Sequence, residues 1–176
     1  MTAGVIAIDW SGAKQRAAKK IWLAEFRNGQ PFSVPTNGRS PGEIRDYLLQ
    51  TRDECRKTIV GIDFAFSFPS WFVSHQQYNS AEEMWDHVER DRNGERWLEE
   101  CCDPFWGRPG KKNPGRPDEE QFRKTDRDFL VKRIHPKSIF QIGGAGAVGT
   151  GSIRGMWLLR QLSREGFSVW PLQRQG

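Results

Sequence analysis

Two short apolar runs in the chain each lead directly into an aspartate. Residues 5–8 (Val-Ile-Ala-Ile) precede Asp9, and residues 58–62 (Thr-Ile-Val-Gly-Ile) precede Asp63. Unbroken apolar runs of this length are typical of strands that are covered on both faces. The pattern therefore predicts two buried strands, each with a carboxylate at its carboxyl end.

The segment between the two runs predicts a hairpin followed by a helix. Residues 20–27 (KIWLAEFR) indicate a second strand, and Asn28-Gly29 is a favoured hairpin turn that returns the chain through a third strand at 32–34. The sequence Ser40-Pro41-Gly42-Glu43 then has the serine and glutamate of a capping box, which begins a helix. The apolar stripe of this helix consists of Ile44, Tyr47, Leu48, Thr51 and Cys55.

This helix determines how the two aspartates are expected to meet. A helical crossover between two strands of one sheet favours a parallel, right-handed connection. The fourth strand can then lie beside the first, and Asp9 and Asp63 converge at the same edge of the sheet.

The second half of the chain predicts helices around a long basic loop. Residues 80–83 form a second capping box, and the apolar positions of the helix that follows are Met84, Trp85, Val88, Trp97, Leu98 and Cys101. Residues 104–117 contain four prolines and three glycines, which is typical of an exposed loop. A strand at 138–142, a helix capped by Ser152 that ends before Gly166, and a last strand at 167–170 complete the prediction.

Length and composition predict one soluble domain. The 176 residues suit a single core, which we expect over 1–176 with a helical and basic loop insertion at about 80–137. Three cysteines show no framework of spaced disulfides, which fits a reducing cytoplasm. Because neither an export signal nor an apolar stretch of the roughly 20 residues needed to cross a membrane is present, no membrane partner is expected.

The net charge of +5 is concentrated in one segment. Residues 104–137 hold ten basic and five acidic side chains, so they account for the whole excess. Basic groups interleaved with aromatic ones can follow a phosphate backbone and stack bases, although a charged loop can equally be just a solvated surface. DNA or RNA is the expected partner, and the candidate nucleic-acid-binding residues are Trp106, Lys111, Lys112 and Arg116.

The aspartate pair predicts a divalent-metal site. Two carboxylates on neighbouring strands repel each other unless a proton or a cation offsets their charge. Mg²⁺ or Mn²⁺ held by Asp9 and Asp63 would do so and would leave positions for water and substrate phosphate. The alternative is that each carboxylate only accepts hydrogen bonds from turn amides, as Asp9 could beside Ser11-Gly12.

A glycine-rich stretch predicts a second kind of site. Residues 144–149 read G-x-G-x-x-G after a predicted strand and before a predicted helix, although the acidic residue expected of a dinucleotide site is missing. Glycine amides and a helix start could instead hold a phosphate, or the glycines could simply permit close approach of the chain. The candidate phosphate-binding residues are Ser11, Gly144, Gly146, Gly149, Thr150 and Ser152.

Three phrases together resemble a known family. They are AIDWSGA at 7–13, GIDFAFSFP at 61–69 and FQIGGAGAVGTGSIRGM at 140–156, and they are similar to the domain of unknown function 429 family, whose members are described as ribonuclease H-like nucleases. The resemblance implies an α/β fold with a ribonuclease H-like mixed sheet, in which three antiparallel strands are followed by parallel strands and helices flank the sheet. It also implies that Asp9 and Asp63 are the counterparts of acidic residues on the first and fourth strands.

The resemblance carries one further expectation. Members of the family continue beyond the strand that matches 167–171 into another strand and helix with additional acidic residues, whereas this chain ends at Gly176. We therefore expect a C-terminally truncated domain with an incomplete set of carboxylates.

Three functions are compatible with the sequence. The leading hypothesis is a metal-dependent phosphodiesterase acting on DNA or RNA. The second is a nucleotide-binding relative of actin-like ATPases or phosphotransferases, whose second lobe does not fit in 176 residues. The third is a non-catalytic module that binds nucleic acid or protein.

Overall fold

The chain divides into two compact units. The computed structural model describes residues 4–33, 37–54, 57–128, 131 and 136–173. The first unit comprises Met1–Phe64 with Gln161–Ser168, and the second comprises Ala65–Arg160 with Val169–Gly176. Within the described residues, no helix is both long and apolar enough to cross a membrane.

The first unit contains a four-stranded mixed sheet. Its strands are β1 (Gly4–Asp9), β2 (Trp22–Arg27), β3 (Gln30–Ser33) and β4 (Thr58–Ile62), in the order β3-β2-β1-β4. The first three strands are antiparallel, and β4 is parallel to β1. These findings confirm the predicted α/β class, the opening antiparallel strands and the parallel pairing of β1 with β4.

The hairpin between β2 and β3 forms where the sequence predicts it. Asn28 and Gly29 have φ angles of 53° and 74°. Two successive residues in this left-handed region are characteristic of a type I′ turn, whose twist matches that of the flanking strands. The third strand begins at Gln30, earlier than predicted, and Val34 lies outside the described residues.

Helix α1 (Pro41–Glu54) begins at the predicted capping box. The Glu43 carboxylate accepts a hydrogen bond from the Ser40 N–H at 2.7 Å, and the Glu43 N–H donates to Ser40 Oγ at 3.3 Å. Hydrogen bonding of the carboxylate to the Ser40 side chain first, and to the Ser40 backbone second, lowers the pKa of Glu43. Ile44, Leu48 and Thr51 are buried as predicted; Cys55 lies outside the described residues.

A buried carboxylate joins this helix to the sheet. Glu25 of β2 is 2% exposed and accepts hydrogen bonds from the Tyr47 hydroxyl and, at 2.6 Å, from Arg27 Nε. Burial first, and the bond to Glu25 second, raise the pKa of Tyr47 to about 12. In the second unit, burial alone raises the pKa of Tyr78 to about 12.

We expect the folded protein to show no tyrosine ionisation near pH 10. The chain has two tyrosines, and both have pKa values of about 12, against about 10 in an unfolded chain. A raised pKa favours the folded state below pH 10, and this contribution is lost as the pH rises toward 12. An alkaline titration of phenolate absorbance, native and in urea, measures both values. A native transition close to pH 10 would contradict the assignment.

The second unit is built mainly from helices. They are α2 (Ser70–His75), α3 (Ala81–Glu89), α4 (Asn93–Glu100), α5 (Asp118–Gln121), α6 (Lys124–Arg127) and most of α7 (Gly149–Arg164). Ser80 Oγ accepts the Glu83 N–H at 3.1 Å, which confirms the predicted start of α3. Two ion pairs tie α7 to α4 and α3, namely Arg154–Glu95 and Arg160–Asp86, each with atoms 2.7 Å apart.

Rings from three regions of the second unit form its aromatic cluster. Phe140 is 1% exposed, and its ring centroid lies 5.3–5.8 Å from the centroids of four other rings. Edge-to-face and offset contacts at this separation are the favoured geometries of aromatic pairs. The four neighbouring rings are those of Phe68, Trp71, Phe72 and Phe105.

Several predictions for the last third of the chain are wrong. Residues 138–142 form a turn and a single bridge between Gln141 and Trp106, and residues 167–170 form no strand. The Trp106 N–H donates to the Phe140 carbonyl at 3.0 Å, and the Ile142 N–H donates to the Trp106 carbonyl at 2.9 Å. These bonds to a loop satisfy the buried backbone without a sheet. Helix α7 begins at Gly149, so Ser152 lies inside the helix and does not cap it.

Candidate active site at the ends of two parallel strands

The register of β1 and β4 brings the two predicted aspartates together. Ile8 pairs with Ile62, and the Asp63 N–H donates to the Ile8 carbonyl at 2.9 Å. Asp9 and Asp63 are therefore neighbours across adjacent strands, which lie about 4.8 Å apart. Both are exposed, and both line the same groove.

Each aspartate is followed by an aromatic residue that contacts the other. Trp10 is buried, and its ring centroid lies 5.5 Å from that of Phe64. The Phe64 N–H also donates to the Ile62 carbonyl at 2.9 Å. The chain is thus held just beyond both carboxylates, which fixes the backbone positions from which they project.

The face that carries the aspartates is open, contrary to the expectation that both strands are covered on both sides. Along β1 the residues alternate strictly between buried and exposed. Val5 is 45% exposed and Ile59 is 73% exposed. On the same open face, a groove lies beside the carboxylates.

This groove has a volume of about 560 Å³. It is lined by Asp9, Asp63 and residues of β1, β2 and β4 that include Trp22. Trp22 pairs directly with Asp9 in the antiparallel register, so its indole and the carboxylate share one row of the sheet. Sequence reasoning missed Trp22, although two-residue alternation from Trp22 to Ala24 places both on the face of Ala7 and Asp9.

The donor set fits a hard divalent cation. Two carboxylates from adjacent strands supply oxygen ligands, which Mg²⁺ and Mn²⁺ prefer, and Mg²⁺ commonly binds through one or two protein carboxylates. No group of three or more His, Cys, Asp or Glu side chains in the described part of the chain could hold a metal ion. The described residues thus offer a two-carboxylate site whose other ligands would be water or substrate.

The predicted phosphate-binding residues are used within the protein. In the first unit, Ser11 Oγ accepts the Ala13 N–H at 3.3 Å. In the second unit, Ser152 is fully buried, and its hydroxyl donates to the Val148 carbonyl and accepts the Ala65 N–H. The Thr150 hydroxyl likewise donates to the Ile142 carbonyl at 2.8 Å.

Two different structural requirements explain the glycines of this stretch. Gly144 and Gly146 have φ angles of 81° and 72°, a region that favours glycine, and both are exposed. At Gly149 a Cβ atom would lie 2.0 Å from the Ile139 carbonyl oxygen, and the Gly149 N–H donates to the Gln141 carbonyl at 3.0 Å. Close approach of the chain therefore explains Gly149. This is the second of the two interpretations of the motif.

We expect Gly149→Ala to destabilise the protein by about 1–3 kcal/mol, the usual cost of overpacking. The Ile139 carbonyl belongs to the backbone and can move aside only by shifting the buried segment around Phe140. The matched control is Gly61→Ala, because a Cβ at Gly61 would meet only the Ile6 carbonyl oxygen, at 4.0 Å. Urea unfolding of both variants measures the difference, and equal stability of the two would contradict the prediction.

The predicted nucleic-acid-binding residues lie in the second unit and differ in availability. The Arg116 guanidinium donates to Asp103 and Glu120 and lies 5.0 Å from the ring centroid of Trp71. The hydrogen bond to Asp103 first, and that to Glu120 second, raise the pKa of Arg116. The exposed side chains are those of Lys111 and Lys112, whereas Trp106 is partly buried.

Comparison with known proteins adds no identification. No protein-family model matches the chain, and neither a curated protein nor a solved structure matches it. The function is therefore argued from the geometry of the site.

Proposed function

We propose that this protein is a divalent-metal-dependent, ribonuclease H-like nuclease that hydrolyses phosphodiester bonds of DNA or RNA. The proposal depends on one observation, the adjacency of Asp9, the last residue of β1, and Asp63, which directly follows β4 and whose N–H donates to the Ile8 carbonyl. The sheet order β3-β2-β1-β4 supports it, because the family resemblance implies acidic residues on the first and fourth strands.

The chemistry follows from the charge of the pair. Two carboxylates at neighbouring positions repel each other, and a divalent cation between them offsets that repulsion. When bound, Mg²⁺ or Mn²⁺ polarises a phosphoryl oxygen and lowers the pKa of a coordinated water. Asp9 and Asp63 would hold the cation, and the rigid sheet keeps their backbones at a fixed separation.

A nucleic-acid substrate also needs positive charge beyond the cation. Lys111 and Lys112 are exposed in the second unit and are the proposed contacts to the phosphate backbone. Arg116 contributes less, because two carboxylates already neutralise it. Binding through the lysines is expected to weaken as salt increases.

Incubation of the purified protein with labelled nucleic acids tests the proposal. Single-stranded, double-stranded and hybrid substrates are each combined with Mg²⁺, Mn²⁺ or a chelator. We expect cleavage that requires the cation and stops when the chelator is added. Mn²⁺ binding, measured without nucleic acid by the relaxation of water protons, provides a second readout that does not depend on finding the correct substrate.

The same purified protein separates the alternatives. A thermal shift with ATP but no cleavage would favour the nucleotide-binding hypothesis, since a ligand at 100 times its Kd stabilises by about 2.7 kcal/mol. Nucleic-acid binding without Mn²⁺ binding would favour the non-catalytic module. Either result would contradict the proposed nuclease.

A further inference from the structure

The open face of the sheet is organised as three parallel rows of side chains. In the first row the register pairs Trp22 with Asp9, and Asp63 directly follows the last pair of β1 and β4, Ile8 with Ile62. The second row contains only small residues, and the third contains large apolar ones. Successive rows lie about 7 Å apart along the strands. We call the groove over the first two rows the trough. Its floor consists of Ala24, Ala7 and Gly61, and the row of Phe26, Val5 and Ile59 lies beyond it.

No contact or backbone angle among the described residues requires a glycine at position 61, in the floor of the trough. Gly61 lies inside β4, where glycine costs about 0.5–1 kcal/mol relative to alanine. Its φ angle is not in the left-handed region, and the nearest atom to an added Cβ would be the Ile6 carbonyl oxygen at 4.0 Å. In contrast, Cβ atoms at Gly107 and Gly149 would meet backbone atoms within 2.4 Å. Among the described residues, nothing fills the space above Gly61, so a ligand could occupy it.

The wall beside this space offers an aromatic surface. Trp22 is 42% exposed and lies directly opposite Asp9 on the neighbouring strand. An exposed indole provides a flat apolar surface on which a planar ring can stack. The absence of bulky side chains from the floor lets such a ring reach the backbone of the sheet.

We propose that the trough holds one base of a single-stranded nucleic-acid substrate, stacked on Trp22, next to the phosphate bound at Asp9 and Asp63. This inference rests on the proposed nuclease function and specifies its substrate. Single-stranded nucleic acid is favoured because a base paired in a duplex is not free to enter a trough. Stacking on an aromatic side chain accepts any base, so cleavage is expected to be tolerant of sequence.

The volume and the charge of the trough both suit a nucleotide unit. A volume of about 560 Å³ lies within the range of small-ligand sites, about 300–1,000 Å³. The carboxylates at one end repel an anion until a cation binds, after which the site attracts phosphate. A nucleotide unit has a phosphate and a planar ring, which match the two ends of the trough.

The test compares two strands that differ only in their bases. Fluorescently labelled oligothymidine and an abasic strand of equal length are bound in the presence of Ca²⁺, and the affinities are measured by anisotropy. The variants are Trp22→Ala, Trp22→Phe and Gly61→Leu. Leucine adds bulk to the floor at a position where the Cβ would have the Ile6 carbonyl oxygen, at 4.0 Å, as its nearest atom. The matched control is Trp170→Ala, because Trp170 is an indole in the second unit that is 74% exposed.

We expect the wild-type protein to bind oligothymidine at least about tenfold more tightly than the abasic strand, which corresponds to about 1.4 kcal/mol. Trp22→Ala and Gly61→Leu should remove this difference and leave abasic binding unchanged, while Trp22→Phe and Trp170→Ala retain it. Equal affinity of the wild-type protein for both strands would overturn the inference, as would an unchanged preference in Trp22→Ala.

Failure of the inference and failure of the proposed function are distinguishable. Loss of the base preference together with intact Mn²⁺ binding and cleavage would remove the trough assignment alone. Absence of Mn²⁺ binding, in an experiment that contains no bases, would remove the nuclease and the substrate assignment with it.

Discussion

Asp9→Asn is expected to abolish Mn²⁺ binding and to reduce cleavage by more than about 100-fold. Loss of a group that only orients a metal ligand costs about 10–100-fold, and removal of one of two carboxylate ligands should cost more. Asp63→Asn should have the same effect, because both side chains occupy equivalent positions at the ends of β1 and β4. Water-proton relaxation with Mn²⁺ and the cleavage assay measure the two effects separately.

The stability of these variants shows whether the two aspartates serve a binding site or stabilise the fold. If the carboxylates only repel each other in the metal-free protein, their removal should leave stability unchanged or raise it by about 0.2–1 kcal/mol. Glu119→Gln, which alters another exposed carboxylate, is the matched control and should retain binding and cleavage. Normal cleavage by Asp9→Asn, or a large loss of stability in it, would exclude the proposed role.

Phe140→Ala is expected to lower the free energy of unfolding by about 3–5 kcal/mol, the usual cost of truncating a buried phenylalanine. The side chain is 1% exposed and lies among four other rings. Its removal leaves a cavity that the surrounding aromatic side chains can fill only by leaving their favoured positions. Urea unfolding followed by near-ultraviolet circular dichroism reports directly on these rings.

Two comparisons make the stability prediction specific. Phe140→Leu keeps most of the apolar volume and should cost distinctly less than Phe140→Ala. Trp170→Ala removes a larger aromatic side chain that is exposed, and it should change stability by about 0.5 kcal/mol or less. Similar losses in Phe140→Ala and Trp170→Ala would show that the aromatic cluster is not the core of the second unit.

Local chemistry made the first unit predictable. The Asn28-Gly29 turn and the Ser40–Glu43 capping box fix their conformations through neighbouring atoms, so the sequence is sufficient to find them. The parallel pairing of β1 and β4 follows from one helical crossover between them. These three features together predict that Asp9 and Asp63 are neighbours.

The second unit could not be predicted in the same way. The apolar run at 138–142 indicates burial, but burial does not distinguish a strand from a segment that pairs with a loop. Here the partner is Trp106, more than 30 residues away, and nothing local specifies that pairing. The start of α7 was misplaced because Ser152 resembles an N-cap, whereas its hydroxyl serves the Ala65 amide.

The site was predicted only in part, for a related reason. Apolar residues at positions 5–8 and 58–62 suggest strands covered on both faces, so the open trough was not expected. Trp22 joins the site through its register with Asp9, and register depends on strand pairing rather than on any motif. The carboxylates had a direct sequence signal, whereas the surface beside them had only the two-residue alternation of β2, which does not show that the face is open.

The open sheet face also governs how the protein behaves at high concentration. Exposed Val5 and Ile59 form an adhesive surface of the kind that promotes stacking of one sheet on another. The carboxylates of Asp9 and Asp63 lie at the edge of this surface, and their like charges oppose such aggregation. Colloidal stability and the proposed metal binding would therefore depend on the same carboxylates, and saturation with a divalent cation is expected to lower the solubility limit.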